Sequence, residues 1–102
     1  MVPLTFTLRV LSDPNRMRIL FLLADGGRDV AAICSMLKVL QPTASHHLGV
    51  LRKAGLVKSL VRGQHRIYSL TNSVYGDPSA LSVESDNYVI EISAKRDSTT
   101  AG

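Results

Sequence analysis

Between residues 30 and 76 this chain contains no aspartate or glutamate. The same stretch holds Lys38, Arg52, Lys53, Lys58, Arg62 and Arg66, together with all three histidines. Residues 1–29 are nearly balanced, and residues 77–102 carry five acids against Lys95 and Arg96. A carboxylate repels phosphate, so a long basic stretch without one fits a surface that a polyanion approaches. Chance segregation of charge in a small domain is the bland alternative, against the usual mixing of both signs on a surface. Other absences narrow the field further. The single cysteine, Cys34, excludes an internal disulfide and fits a reducing compartment. No apolar run is long enough to span a bilayer, and the N-terminus lacks the basic-then-apolar layout of a signal peptide, so a cytoplasmic protein with no membrane partner is expected. There is no Gly-rich phosphate loop, no His-Glu-x-x-His and no Gly-x-Ser-x-Gly, which argues against an enzyme and leaves no cofactor to expect. With 102 residues the chain has room for one modest core, and 45% hydrophobic residues argue against wholesale disorder.

What is present is organised around residues 40–55, LQPTASHHLGVLRKAG. Pro42 suits the start of a helix and Gly55 its end. Ala44, Leu48 and Leu51 recur at helical spacing and define one apolar stripe. Gln41, Thr43, Ser45, His46, Arg52 and Lys53 occupy the opposite face, a set of hydrogen-bonding groups and cations suited to DNA. His47 reads as a packed histidine rather than a ligand. Upstream, Asp13-Pro14 is a helix start, with Met17, Leu20, Phe21 and Ala24 on one side and Gly26-Gly27 beyond the end. Arg16 on this helix is either a solvated cation or a phosphate contact. Asp29 can cap a short helix, VAAICSMLK, with Val30, Ile33 and Leu37 at core spacing. The tight connection from that helix to the next predicts a helix-turn-helix, whose second helix enters the major groove. Residues 3–11 fit either period: Leu4, Leu8 and Leu11 suit a helix, and Val2, Leu4, Phe6, Leu8 and Val10 alternate as in a strand; the helices that follow favour a helix here.

Beyond Gly55, the β-prone runs 56–61 and 65–70 flank Arg62-Gly63-Gln64, a hairpin with a basic tip. Placed directly after a recognition helix, such a hairpin is a wing. After Gly76-Asp77-Pro78, read as a breaker, ALSVES and YVIEISAK are β-prone, and Asp86-Asn87 between them suits a two-residue turn. Residues 97–102 are expected to fray.

The runs LSDPNRMRILFLL, QPTASHHLGVLRKAGLV and RGQHRIYSL resemble the ArsR/SmtB family of winged-helix transcriptional regulators, over residues 8 to 70. The resemblance implies a dimeric repressor or regulator that binds double-stranded DNA at an inverted-repeat operator. By position it implies that Gln41, Thr43, Ser45 and His46 face bases and phosphates, that Arg52 and Lys53 meet the backbone, and that Arg62, Gln64, His65 and Arg66 lie on the wing. The chain also departs from the family. Asp29 and Ala31 stand where metal-sensing members carry thiolates, and the tail contains no histidine, so no metal site is expected. Lys38 and Leu40 replace a helix-ending glycine and a capping serine, and a β-prone tail replaces the usual dimer-forming helix. The expected fold is α+β, mainly α: a winged helix-turn-helix over residues 1–72, with a C-terminal extension over 73–102 that forms a strand or hairpin and contributes to a homodimer. A winged helix that binds protein instead of DNA is the alternative. The sequence names no effector.

Overall fold

The computed structural model describes residues 2–95. Four helices come first: α1 (Leu4–Leu11), α2 (Pro14–Leu23), α3 (Val30–Leu37) and α4 (Gln41–Lys53). A two-residue strand, β1 (Arg28–Asp29), precedes α3, and the strands β2 (Val57–Arg62) and β3 (His65–Leu70) follow α4. The chain continues through β4 (Val74–Asp77), β5 (Ala80–Ser85) and β6 (Tyr88–Ser93). Two antiparallel sheets result, ordered β1-β3-β2 and β4-β5-β6. Among the described residues no helix is long and apolar enough to cross a membrane.

Local chemistry explains most helix ends. Asp13 Oδ1 accepts from the N–H groups of Asn15 and Arg16 at 2.8 and 3.2 Å, and Pro14 opens α2 without a donor of its own. Asp29 Oδ1 accepts from Ala32 N–H at 2.8 Å and caps α3. α4 begins at Gln41, one residue before Pro42, and its cap, Leu40, supplies no side-chain hydrogen bond. The far end of α4 closes as a Schellman motif. Gly55 takes φ +80°, its N–H donates to Arg52 C=O, and Leu56 N–H donates to Leu51 C=O. α3 ends in a related way: the N–H groups of Lys38 and Val39 both donate to Cys34 C=O, and the left-handed position belongs to Lys38 at φ 58°.

The ambiguous N-terminal run is helical because burial selects one face. Thr7, Val10 and Leu11, spaced for a helix, are buried, and the alternating Leu4, Phe6 and Leu8 remain exposed. One apolar cluster joins Ile19, Leu20, Leu23, Ile33, Leu37, Ala44, Leu48, Leu51, Leu56 and Val57 to Val74, Leu81 and Val83 of the second sheet. Each valine, leucine or isoleucine among them contributes about 1.5–3 kcal/mol by leaving water. The C-terminal sheet is therefore a wall of the same core that fixes α4.

The extension is β, as expected, with a hairpin of β5 and β6 turning at Asp86-Asn87 in the register Ser85↔Tyr88 to Ala80↔Ser93. The expected break at Gly76-Asp77-Pro78 is only partly right. Gly76 and Asp77 belong to β4, paired with Leu81 and Ala80, and the chain turns at Pro78 and Ser79. The expected fraying of residues 97–102 lies outside the described residues.

Candidate nucleic-acid interface

The buried stripe of α4 consists of Ala44, His47, Leu48 and Leu51, with the three aliphatic residues at 0% exposure. Its packing on α2 and α3 leaves Gln41, Thr43, Ser45, His46, Arg52 and Lys53 exposed. Among the described residues none of these six side chains is held by a hydrogen bond. Their donors and cations are free to meet a ligand. Gly49 lies three or four residues from each of Ser45, His46, Arg52 and Lys53, at the centre of this face. A Cβ built there meets nothing within 4 Å. Glycine inside a helix costs about 1 kcal/mol relative to alanine, and no packing within the chain requires it here. Sequence reasoning passed over Gly49, although a lone glycine inside a helical pattern costs about 1 kcal/mol against alanine and so calls for a reason beyond helix propensity.

His47 turns inward, as its reading as a packed residue anticipated. It is 8% exposed, and its Nδ1 lies 3.3 Å from Arg16 Nη1. A guanidinium can only donate, so Nδ1 acts as the acceptor and the ring is neutral, with its proton on Nε2. That nitrogen faces Asp13 Oδ1 at 3.8 Å. Burial pushes the imidazole below its ordinary value, Asp13 opposes this, and Arg16 and His46 add to the lowering. Burial tends to raise the Asp13 carboxyl, but hydrogen bonds from the N–H groups of Arg16 and Asn15 outweigh it and hold the group below the usual range. Arg16 also donates from Nε to Val10 C=O at 2.6 Å. The guanidinium considered above as a phosphate contact is thus engaged in joining α1, α2 and α4.

The wing is the β2–β3 hairpin. Its turn is Gly63-Gln64 alone, because Arg62 and His65 form the last rung of the ladder. Gly63 takes φ +65° at the first turn position, as in a II′ hairpin. Arg62, Gln64, His65 and Arg66 are all exposed. Two of them have intramolecular partners: Arg66 Nη1 donates to Ser59 Oγ at 3.0 Å, and His65 Nδ1 stands 3.1 Å from Asp29 Oδ2. Pairing of Arg28 with Tyr68 and of Asp29 with Ile67 brings that carboxylate to the wing. The stretch 30–76 is free of acids in sequence, but Asp29 and Asp13 reach it in space. Among the described residues no three His, Cys, Asp or Glu side chains gather as a metal site would require.

This arrangement of helix, tight turn, exposed helix face and basic wing has counterparts among known proteins. The sequence profile of the family described as bacterial regulatory protein, arsR family, matches residues 13–59. An uncharacterized HTH-type transcriptional regulator of Methanocaldococcus jannaschii is 43% identical over 65 residues, covering 63% of this chain and 73% of that protein. The transcriptional repressor SdpR of Bacillus subtilis is 35% identical over 69 residues, 68% of this chain and 77% of its own length. Among solved structures, the homodimeric winged helix-turn-helix DNA-binding domain of a possible ArsR-family regulator from Mycobacterium bovis superimposes with a TM-score of 0.62. It is 33% identical, over 65% of this chain and 61% of that one.

Proposed function

The chain belongs to the arsR family of bacterial regulatory proteins and is a DNA-binding transcriptional regulator, and from this we propose that it is a repressor that reads an inverted-repeat operator as a homodimer. The observation that carries the reading is the outward face of α4. Six polar or basic side chains stand there without intramolecular hydrogen bonds among the described residues, on the side of the helix away from the buried Ala44, Leu48 and Leu51. The homodimeric state of the Mycobacterium bovis domain supports the dimer, and the repressor named among the relatives supports repression.

In this reading residues 1–72 are the reading unit, and residues 73–102 are an extension that braces it and contributes to the dimer. α4 lies in the major groove. Gln41, Thr43, Ser45 and His46 in its first two turns meet base edges and flanking phosphates, and Gly49 lets the helix backbone come close to the groove. Arg52 and Lys53 meet backbone phosphates. Arg62, Gln64 and Arg66 carry the wing to the neighbouring backbone or minor groove, and His65 does so while held by Asp29. A regulator working on the chromosome belongs in the cytoplasm.

Selection of bound sequences from a random duplex pool tests this reading. The expected result is an inverted repeat, bound with an affinity that falls steeply as salt rises, and with a salt slope that drops by about 1 when Lys53 is neutralised. Binding with no preference over random duplex at moderate salt would remove the operator-reading function. A stable protein partner covering the basic face would then replace it.

A further inference from the structure

The C-terminal sheet ends in a strand whose outer edge is unpaired among the described residues. β6 is hydrogen-bonded to β5 alone, and the order β4-β5-β6 places it at the margin. Ala94 N–H donates to Ser79 C=O at 2.8 Å, which extends the β5–β6 ladder by one hydrogen-bonded pair. Because such pairs alternate along an antiparallel ladder, Tyr88, Ile90 and Ile92 direct their backbone groups to β5. Val89, Glu91 and Ser93 direct theirs outward. Soluble proteins usually blunt such an edge with charged side chains (lysine above all), proline, a bulge or a very short strand. β6 has six residues, with Glu91 as its one charge and neither lysine nor proline. The opposite margin, β4, has four residues, includes Gly76 and Asp77, and runs into Pro78.

We propose that β6 is the dimer seam, pairing antiparallel with the β6 of a second copy to make one six-stranded sheet. The proposal rests on the homodimer argued above and supplies its geometry. Two identical strands paired antiparallel about a two-fold axis form a self-complementary contact. Facing residues must share a side of the sheet, so the axis passes through a residue and not between two. Centring on Glu91 would set its carboxylate against its own copy, a destabilising arrangement. Centring on Ile90 sets isoleucine against isoleucine on the core-facing side, Tyr88 against Ile92, and Val89 against Glu91. In that register the outward N–H and C=O groups of Val89 and Glu91 satisfy one another, and Ile90 forms the close, non-hydrogen-bonded pair. α1 runs beside this margin, with Thr7 and Tyr88 joined through their hydroxyls. Its Leu4 and Leu8, one helical turn apart and 42 and 46% exposed, form an apolar flank of that helix beside the edge.

Sedimentation of the full chain, with and without Glu91→Pro, tests the seam. The N–H of Glu91 points away from β5, so proline there leaves the internal ladder intact, as edge strands tolerate. The expected result is a far-UV spectrum like that of the wild type and a dimer dissociation constant at least about tenfold higher. Disulfide trapping in a Cys34→Ser background gives the register. Ile90→Cys should cross-link on mild oxidation, since facing Cα atoms at about 4.5 Å suit a disulfide; Val89→Cys and Glu91→Cys should not. Dimerisation of Glu91→Pro equal to the wild type, or a wild type that is monomeric at every concentration reached, overturns the seam. Binding to a duplex with one half-site separates this proposal from the DNA-reading one. If Glu91→Pro remains dimeric and still selects the half-site, the seam fails and the reading head stands. If dimers form through Ile90 and no half-site is selected, the reading head fails and the seam stands.

Discussion

His65 Nδ1 stands 3.1 Å from Asp29 Oδ2, and the other oxygen of the same carboxylate caps α3 through Ala32 N–H. One aspartate therefore fixes the start of the helix-turn-helix and one strand of the wing together. It also sets a negative charge beside a surface meant for phosphate. Asp29→Asn separates the two effects, because asparagine caps as well as aspartate. The melting temperature should stay close to that of the wild type. DNA affinity at low salt should rise up to about fivefold, in keeping with a partly exposed charge near the surface worth about 1 kcal/mol or less. Fluorescence titration at two salt concentrations measures this, and an unchanged or weaker affinity would show that the wing needs the Asp29 anchor more than it suffers from the charge.

Gly49 makes stability and binding move in opposite directions. A Cβ at this position has open space within the molecule, so Gly49→Ala should stabilise the fold by about 1 kcal/mol through helix propensity alone. Against DNA the same methyl group stands between Ser45, His46, Arg52 and Lys53, where the helix would approach the groove floor. Operator binding should weaken by about tenfold or more, equivalent to about 1.4 kcal/mol. Thermal melts paired with binding isotherms read both quantities. A variant that is stabilised and binds as well as the wild type would mean that the α4 backbone stays clear of the bases.

The features legible in the sequence were those set by chemistry within a few residues. Asp13-Pro14, Asp29, Gly55 and Gly63 each act on N–H or C=O groups close by in the chain, and the hairpin of β5 and β6 follows from two β-prone runs on either side of Asp86-Asn87. The features that escaped depend on residues distant in sequence. Arg28-Asp29 is a strand only because Tyr68 and Ile67 lie alongside. β4 exists because Val74 is buried opposite Val83, although Gly76 and Asp77 are poor strand formers. Arg16 looked available to phosphate until the fold brought His47 and Val10 C=O to it. Periodicity identified the outward face of α4, but the carboxylates that border the basic surface came from other elements.

Acid should loosen the attachment of α4 through His47. Its imidazole titrates below the ordinary value, chiefly because of burial, so the folded state binds fewer protons than the unfolded one near that value. The associated stability is present above the unfolded value of about 6.5 and is lost as pH falls below it. Asp13 moves in its own, lower window, because a carboxyl held below the usual range loses its contribution only in stronger acid. Denaturant melts between about pH 7.5 and pH 5.5 should show stability falling in the wild type and a flatter profile in His47→Gln. Parallel profiles would mean that His47 takes up its proton equally readily in the folded and unfolded states.

Lys38 holds the left-handed conformation that ends α3, with φ 58° and ψ 48°. A side chain with a Cβ pays about 1–2 kcal/mol there, and glycine avoids this but loses about 0.5–1 kcal/mol more chain entropy on folding. The Lys38 charge near the end of α3 is worth a few tenths of a kcal/mol through the helix dipole. The balance favours glycine by up to about 1 kcal/mol, so Lys38→Gly should raise the melting temperature by about 4–8 °C at most. Lys38→Asn should fall between the two, since asparagine visits this region more readily than lysine does. The turn between α3 and α4 sets the entry of the recognition helix, and a less strained version should leave operator selectivity unchanged. Loss of one cation would lower the salt slope by about 1 only if Lys38 touches a phosphate. A Lys38→Gly protein that melts below the wild type would show that the lysine side chain contributes more to the α3–α4 turn than the strain it imposes.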